Sequence, residues 1–250
     1  APTFDVEYHY DTTDAGSYGI GLLHYTYDVD ADITRSYRYD ARGRVTATWQ
    51  PVGAYGLAME WSYNAANQVT TVKYPTDLAY ARSETVTTTY DAWARPSTLT
   101  SVVGGITTSL VTDATYDPYG RPNVLQFGDG YRTDYDYFDP DEEGGRLQSI
   151  KTGNTSPYTQ TQHLTWDYDA VGNISSITDG ANGGQVQTFT YDALDRLTAA
   201  NTSAAGAGQY SHSYAYDAVG NITSLAGVAY TYGDAAHVHA VTGLDCAPCA

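Results

Sequence analysis

Three aspartates at alternating positions, Asp28, Asp30 and Asp32, have the residue type and spacing with which a calcium-binding loop begins. A helix-loop-helix calcium site also needs a glycine at the sixth position and a bidentate glutamate at the twelfth. Ile33 and Tyr39 occupy those positions here. The three aspartates are therefore only a weak calcium candidate, and the alternative is a solvated acidic loop.

Carboxylates are abundant enough for general acid–base chemistry, since aspartate and glutamate number 29. A glycosidase needs two carboxylates that converge on one scissile bond. No pair stands out by its position, because most of the aspartates recur with a regular period. The sequence also contains no G-x-S-x-G, H-E-x-x-H or phosphate-loop motif. We therefore expect no enzymatic activity, no resident metal and no cofactor.

Four tryptophans, Trp49, Trp61, Trp93 and Trp166, are candidates for stacking on sugar rings. An indole combines a large apolar face with one polar N–H group, which suits a ligand that has both kinds of surface. The alternative is that these rings pack within the sheet. Because of these tryptophans, glycans are one of the candidate partners of the chain.

The two cysteines, Cys246 and Cys249, lie in the terminal segment CAPC. Two thiols cannot complete a zinc site of four ligands. The pair is a candidate for a local or an intermolecular disulfide, and the alternative is that it has no role.

Beyond these candidates, the chain carries a repeat built on Tyr-Asp dipeptides. Nine such dipeptides begin at residues 10, 27, 39, 90, 116, 135, 168, 191 and 216, and Tyr63-Asn64 is a close variant. Tyr232-Gly233-Asp234 is a looser one. Successive steps from Tyr39 are 24, 27 and 26 residues, and those from Tyr168 are 23 and 25 residues. A period of this length is typical of a repeat architecture that copies one supersecondary unit.

Each repeat has the pattern of a β-hairpin. An aromatic residue often stands two positions before the repeat tyrosine, as in Tyr214 and Tyr216, so both rings share one face of a strand. A turn rich in Asp, Ala, Gly and Asn follows, and then a second strand. The apolar residues of that strand, such as Ile222 and Leu225, are three apart. Either one falls on each face or a β-bulge intervenes.

Equivalent positions of a repeat face the same way, so the repeat tyrosines should form a ladder along one sheet face and build the core. These structural tyrosines are Tyr39, Tyr63, Tyr90, Tyr116, Tyr168, Tyr191 and Tyr216. Isolated hairpins are only marginally stable, so adjacent hairpins must pair. We predict an all-β fold with a single array of about ten repeats over residues 1–245 and a short cysteine-containing tail over residues 246–250.

The charge balance narrows the partners. Lys and Arg number 12, and the formal net charge is −17. This balance disfavours nucleic acid and anionic membrane surfaces, because both are bound by cationic side chains. No apolar run approaches the length of a transmembrane helix, so we expect no membrane insertion. Ser, Thr and Gly in place of charged residues are common in extracellular β-proteins, so we expect a secreted or cell-surface location.

The Tyr-Asp repeats resemble the YD repeats of the RHS family, which includes bacterial RHS proteins, the C components of Tc toxin complexes and the animal teneurins. Several copies also carry the G-[RN]-[LIV] sequence that follows in that family, such as Gly43-Arg44-Val45 and Gly172-Asn173-Ile174. The resemblance covers nearly the whole chain. It implies a spiralling sheet that encloses a hollow shell or tube, and in the toxins the shell holds an unfolded effector. We also expect a bacterial source.

These patterns predict a non-enzymatic, secreted structural protein that forms a β-shell or tube for enclosure, scaffolding or end-to-end assembly. Two alternatives stay open: a carbohydrate-binding adhesin of the cell surface, and a fragment of an RHS toxin-encapsulating shell. The expected partners are other copies of the chain, or the rest of a longer RHS polypeptide.

Overall fold

The computed structural model describes residues 5–11, 17–53, 55–76, 82–204 and 208–246. The chain divides into two compact units. The first contains residues 1–115 and 125–130, and the second contains residues 116–124 and 131–250. This division does not test whether residues 1–245 form a single array, so the single array stays a prediction.

The described residues form twenty β-strands and one short α-helix, α1 (Pro140–Glu143), with a 3-10 turn at Gly180–Asn182. Strands β1 to β10 are Val6–Tyr10, Leu23–Asp28, Ile33–Tyr39, Val45–Val52, Tyr55–Tyr63, Val69–Lys73, Glu84–Tyr90, Pro96–Val103, Ile106–Tyr116 and Pro122–Phe127. Strands β11 to β20 are Arg132–Tyr137, Leu147–Gly153, Gln162–Tyr168, Ile174–Asp179, Gln185–Tyr191, Leu197–Thr202, Ser211–Tyr216, Ile222–Leu225, Val228–Thr231 and Gly243–Cys246.

Strands that follow one another in the chain pair with each other, and the pairs are antiparallel. In the first unit this meander runs from β1 to β9. In the second unit it runs from β11 to β20. The predicted fold class, all-β with tandem YD-repeat hairpins in an antiparallel sheet, is confirmed.

A β-bulge in the return strand of each hairpin explains the spacing of three between apolar residues. Tyr216 pairs with Ile222 and Tyr214 pairs with Leu225, because the register shifts between Ala215 and Tyr216. Directly paired residues share a face, so the bulge brings Ile222 and Leu225 to the same side. The same shift precedes the repeat tyrosine in the hairpins that begin with β3, β5, β7, β11, β13 and β15.

Burial is shallow. Among the described residues no large side chain is fully buried, and the buried apolar ones are Tyr39, Ala114, Ala200 and Ala204. The other repeat tyrosines are half-buried. Tyr39 is thus the most buried of the structural tyrosines, and the expected tyrosine core stays a prediction.

Gly128 tests how tightly the backbone of the first unit is packed. A Cβ atom on this residue would lie 2.7 Å from the carbonyl carbon of Ser109 and closer still to its oxygen. We expect Gly128→Ala to lower the free energy of unfolding by about 2–3 kcal/mol, because backbone cannot yield as a flexible side chain can. Urea denaturation measures this change.

The matched control is Gly208→Ala, where the new Cβ would meet the Cβ of Ala204 at 3.4 Å, an ordinary contact. The control should change the free energy of unfolding by less than about 0.5 kcal/mol. Equal effects from the two substitutions would contradict the tight backbone contact.

Candidate functional site

The turn after each repeat tyrosine is closed by its aspartate. Oδ1 of Asp192 accepts the backbone N–H groups of Leu194 at 2.9 Å and Arg196 at 3.1 Å, while Oδ2 accepts Nε of Arg196 at 2.7 Å. The backbone N–H of Asp192 also donates to the carbonyl of Arg196 at 2.9 Å. One carboxylate therefore satisfies the backbone and side-chain donors of a whole turn, an arrangement that we call the aspartate clamp.

The aspartate clamp recurs in both units. The aspartates that form it in the same way are Asp40, Asp91, Asp117, Asp169 and Asp217. Asn64 replaces the aspartate once, and its Oδ1 accepts the N–H groups of Ala66 and Gln68. The residue before the last clamp position has a positive φ, which explains the glycine of the motif at Gly43 (φ 74°) and Gly172 (φ 98°).

The repeat tyrosine joins its hairpin to the one before it. Its hydroxyl donates to a main-chain carbonyl at the start of the preceding return strand, as Tyr191 does to Ile174 at 2.9 Å. The same bond joins Tyr63 to Val45, Tyr90 to Val69, Tyr137 to Pro122, Tyr168 to Leu147, Tyr216 to Leu197 and Tyr232 to Ile222. We call this contact the tyrosine link.

The last residue of each clamp makes a second connection, from one turn to the next. Arg44 Nη1 donates to the carbonyl of Asn64 at 3.0 Å, and Asn173 Nδ2 donates to Oδ1 of Asp195 at 3.0 Å. In several of the repeats where that residue is arginine, its guanidinium also lies over the next repeat tyrosine. Arg44 is 4.5 Å from the ring centroid of Tyr63, a cation–π distance. Similar pairs are Arg121 with Tyr137 and Arg196 with Tyr216.

One repeat differs from its sequence pattern. Tyr135-Asp136 is the dipeptide, but Tyr137 follows the register shift and makes the tyrosine link. The backbone N–H of Phe138 donates to the carbonyl of Arg146, so Phe138 stands where other repeats have aspartate. Helix α1 lengthens this turn. The sequence Gly145-Arg146-Leu147 was the signal that could have located the true repeat tyrosine.

The four tryptophans do not form one surface. The register places Trp49 of β4 opposite Ala58 of β5, so these two side chains share one face of the sheet. Trp61 follows Ala58 by three residues on β5 and therefore points to the other face, opposite Val72. Trp166 is half-buried opposite Ile177 in the second unit.

The remaining tryptophan, Trp93, is 80% exposed at the tip of a turn. Other turn tips are apolar too: Tyr119, Val171, Leu194 and Val219 of the second unit are between 63% and 72% exposed.

The structure does not assemble the calcium candidate. Asp28 Oδ1 accepts the backbone N–H of Ala31 at 3.0 Å, and Asp32 Oδ1 accepts the hydroxyl of Tyr27 at 3.0 Å. Within the part of the chain that the structure describes, no group of three or more His, Cys, Asp or Glu side chains could hold a metal ion. Cys249 and the side chain of Cys246 lie outside the described residues, so the disulfide stays a prediction.

Hydrogen bonding lowers the pKa of the clamp aspartates. At Asp40 and Asp192 the main cause is the side chain of the arginine four residues later, which donates to the carboxylate. At Asp169 and Asp217 the largest effect is burial, which alone would raise the pKa. The backbone N–H and the side chain of the following asparagine outweigh that burial.

Tandem β-hairpins joined by tyrosine links and closed by aspartate clamps define the chain as a β-repeat protein. The RHS repeat family model matches residues 168–207, which contain two of these clamps. The matched segment, together with the toxin subunits and structures described next, shows that the chain is similar to RHS/YD-repeat proteins.

Two similar proteins are toxin subunits of Yersinia entomophaga. YenC2 is 28% identical over 157 residues, or 49% of this chain, and YenC1 is 32% identical over 114 residues, or 40% of this chain. The alignments span only 16% and 11% of those subunits.

Solved structures share the fold. The crystal structure of TcdB2-TccC3 has a TM-score of 0.71 at 18% identity, covering 88% of this chain and 13% of that one. The Photorhabdus luminescens Tc holotoxin pore has a TM-score of 0.72 at 18% identity, covering 88% and 12%. The chain thus shares the fold of parts of these Tc toxin structures.

The tyrosine link should contribute measurably to the free energy of unfolding. We expect Tyr191→Phe to lower the free energy of unfolding by about 1 kcal/mol, because the ring stays and one part-buried hydrogen bond is lost. Tyr191→Ala should cost about 2–3 kcal/mol, because the packing of the ring is lost as well. Thermal and urea melts measure both. The control Tyr119→Phe removes the hydroxyl of a 70% exposed tyrosine at a turn tip and should change little; an equal loss there would contradict the link.

Stability should fall at both ends of the pH scale. A clamp aspartate with a lowered folded pKa stabilises the fold above its ordinary pKa of about 3.9, and this stability is lost as the pH falls through the folded pKa. Burial raises the pKa of Tyr39, Tyr168 and Tyr191. Their contribution is present below about pH 10 and is lost as the pH rises through the raised values.

We expect the urea midpoint to be nearly flat between about pH 5 and 9 and to decrease outside this range. The matched control is the double variant Asp192→Asn with Arg196→Gln, which copies the uncharged pair of Asn64 and Gln68. This variant should lose less stability between pH 5 and pH 3 than the parent chain. A midpoint that rises as the pH falls would contradict the clamp.

Proposed function

We propose that the chain is a wall segment of an RHS/YD-repeat shell and that it acts as a structural part, without catalysis. The observation that carries this proposal is the connection between successive hairpins, made by a tyrosine link and a side chain that reaches the next turn. In a repeat protein each unit is stabilised by its neighbours, so such contacts build an extended wall. In this wall the clamp aspartates, which could otherwise form a catalytic site, are bound within their own turns.

The state of the aspartates supports the non-catalytic part of the proposal. A general acid works best when its pKa lies near the working pH. The clamp aspartates have lowered pKa values, and each is occupied by donors of its own turn. Steady product release from a panel of glycans or peptides, abolished by one Asp→Asn substitution, would contradict this part.

The terminal strands support a continued sheet. Among the described strands, β1 pairs with β2 and β20 pairs with β19. An outer strand presents unpaired backbone groups on its free side and can template pairing with further strands. Because the alignments span less than a fifth of the two toxin subunits, we infer that further YD hairpins of a longer polypeptide add to these strands.

The location and the cargo follow from the same relationship. The relatives are bacterial toxin subunits. We therefore infer that the complete polypeptide is a secreted bacterial protein, and that its wall surrounds a compartment for a second, unfolded segment. The acidic surface of the chain, with a net charge of −17, favours solubility of a large wall.

Hydrogen–deuterium exchange on the chain within its natural longer polypeptide tests the continued sheet. We expect the outward amides of β1 and β20 to exchange as slowly as those of the central strand β5, because a neighbouring strand binds them. In the isolated 250-residue chain the same amides should exchange faster, and inner strands should be unchanged. Fast exchange of both outer strands in the longer polypeptide would overturn the proposal.

Light scattering on the isolated chain distinguishes the two proposed partners, which are other copies of the chain and the rest of a longer polypeptide. If copies can replace the missing neighbours, the mass should increase with concentration, since outer strands then pair between copies. A stable monomer at high concentration would exclude end-to-end assembly of this chain and leave only the longer polypeptide.

A further inference from the structure

Three apolar side chains stand exposed at the tips of neighbouring turns in the second unit. Each is the second residue after a clamp aspartate, and the exposed fractions are 69% for Val171, 72% for Leu194 and 63% for Val219. Hydrogen bonds join the three turns in order. Asn173 Nδ2 donates to Oδ1 of Asp195 at 3.0 Å, and Arg196 Nη1 donates to the carbonyl of Asp217 at 3.3 Å. We call these three side chains the apolar ridge.

The turn does not itself require an apolar side chain at its tip. The aspartate clamp uses only the backbone N–H of this position, which in Leu194 donates to Oδ1 of Asp192 at 2.9 Å. In the first unit Arg42 and Ala66 occupy the same position, and their turns close in the same way. An apolar side chain in water adds no burial to its hairpin. A row of such side chains is typical of a surface that binds a partner.

The spacing of the apolar ridge indicates the shape of that partner. Strands β13 to β18 pair in chain order, so neighbouring tips are two strands apart. Adjacent strands lie about 4.8 Å apart, which places the tips about 9.6 Å apart. Residues seven apart on an α-helix share one face and are separated by about 10.5 Å. On an extended strand the residues of one face recur about every 6.8 Å, so a helix fits the ridge and a strand does not.

The charge beside the apolar ridge is negative. The turns at residues 117–121, 138–146, 169–173, 192–196 and 217–221 contain nine carboxylates and three arginines. Each of these arginines is ion-paired within its own turn: Arg121 with Asp117, Arg146 with Glu143, and Arg196 with Asp192. A partner on this edge of the second unit therefore meets an excess of carboxylates, which favours a cationic surface.

We propose that the apolar ridge binds a cationic amphipathic α-helix of a partner protein. Apolar residues at helix positions i, i+7 and i+14 lie over Val171, Leu194 and Val219, and flanking lysines or arginines face the carboxylates of the turns. An amphipathic helix presents an apolar stripe between polar flanks, which matches a row of apolar tips between acidic turns.

Other partners fit the apolar ridge less well. A second copy of the chain would bring acidic turns against acidic turns, and like charges in contact oppose binding. Nucleic acid and anionic membranes would bring negative charge to the same carboxylates. The inference is independent of the role of the chain as a wall, because it concerns only the turn tips of the second unit.

The experiment is a fluorescence anisotropy titration of the full chain against a labelled synthetic helix of about 21 residues, or six turns. Its leucines lie on one face, its lysines lie beside them, and alanines complete it. One control peptide has the same composition in scrambled order, and a second has glutamate in place of every lysine. We expect the parent chain to bind the leucine–lysine helix and to bind both control peptides at least about tenfold more weakly.

The test variant is Leu194→Ala with Val219→Ala, which copies the alanine found at the Ala66 tip. It should weaken binding at least about tenfold, because two apolar contacts are lost and no charge changes. The matched control is Val103→Ala with Ile106→Ala, which removes two exposed apolar side chains of the first unit, at 38% and 69% exposure. The control should bind as the parent chain does, and thermal melts check that both variants are folded.

Four results would overturn the proposal. They are no binding of the leucine–lysine helix, equal binding of the scrambled peptide, equal loss of binding in the two double variants, and unchanged binding in Leu194→Ala with Val219→Ala. Light scattering tests the second copy as the occupant. Self-association of the parent chain that this variant abolishes would assign the apolar ridge to a second copy and would also contradict the proposal.

Discussion

Each hairpin is fixed to the one before it by a tyrosine hydroxyl that donates to a carbonyl of the preceding return strand. The link in Tyr191 shows what this geometry requires. The ring must stand at the very end of its strand, beside the start of the turn. The β-bulge in the return strand places Leu197 opposite that ring, and the Asp192 clamp ends the strand immediately after it. The bulge, the turn and the aspartate are therefore parts of one local arrangement around the tyrosine.

A sheet built in this way does not depend on a deep core. Few described residues are buried, and the buried polar ones, Ser101, Thr133, Ser149 and Asn221, are hydrogen-bonded rather than isolated. A single hydrogen bond between neighbours contributes about 1 kcal/mol, which is small, but the contact is copied at every step of the array. Stability thus grows with the number of neighbours, which favours long arrays over short ones.

The sequence pattern predicts the hairpins well because turn chemistry and aromatic alternation agree within each repeat. It does not decide the bulge, since a spacing of three between Ile174 and Ile177 fits either one residue on each face or both on one. The pattern also misplaces one repeat. Tyr135 precedes the aspartate, but Tyr137 follows the register shift and makes the tyrosine link. The inserted helix α1 changes the turn of this repeat but not the strand register.

The clamp also shows how a turn can hold an aspartate without a cation. In the turn of Asp192 the carboxylate is neutralised by Arg196, whereas in the turn of Asp217 it is held by the amide of Asn221 and backbone N–H groups. Backbone donors stabilise a carboxylate without adding a positive charge. Every asparagine-type repeat therefore leaves one negative charge unbalanced. The turns of Asp169 and Asp217 thus contribute two negative charges to the net charge of −17, and these two aspartates require no acidic binding site.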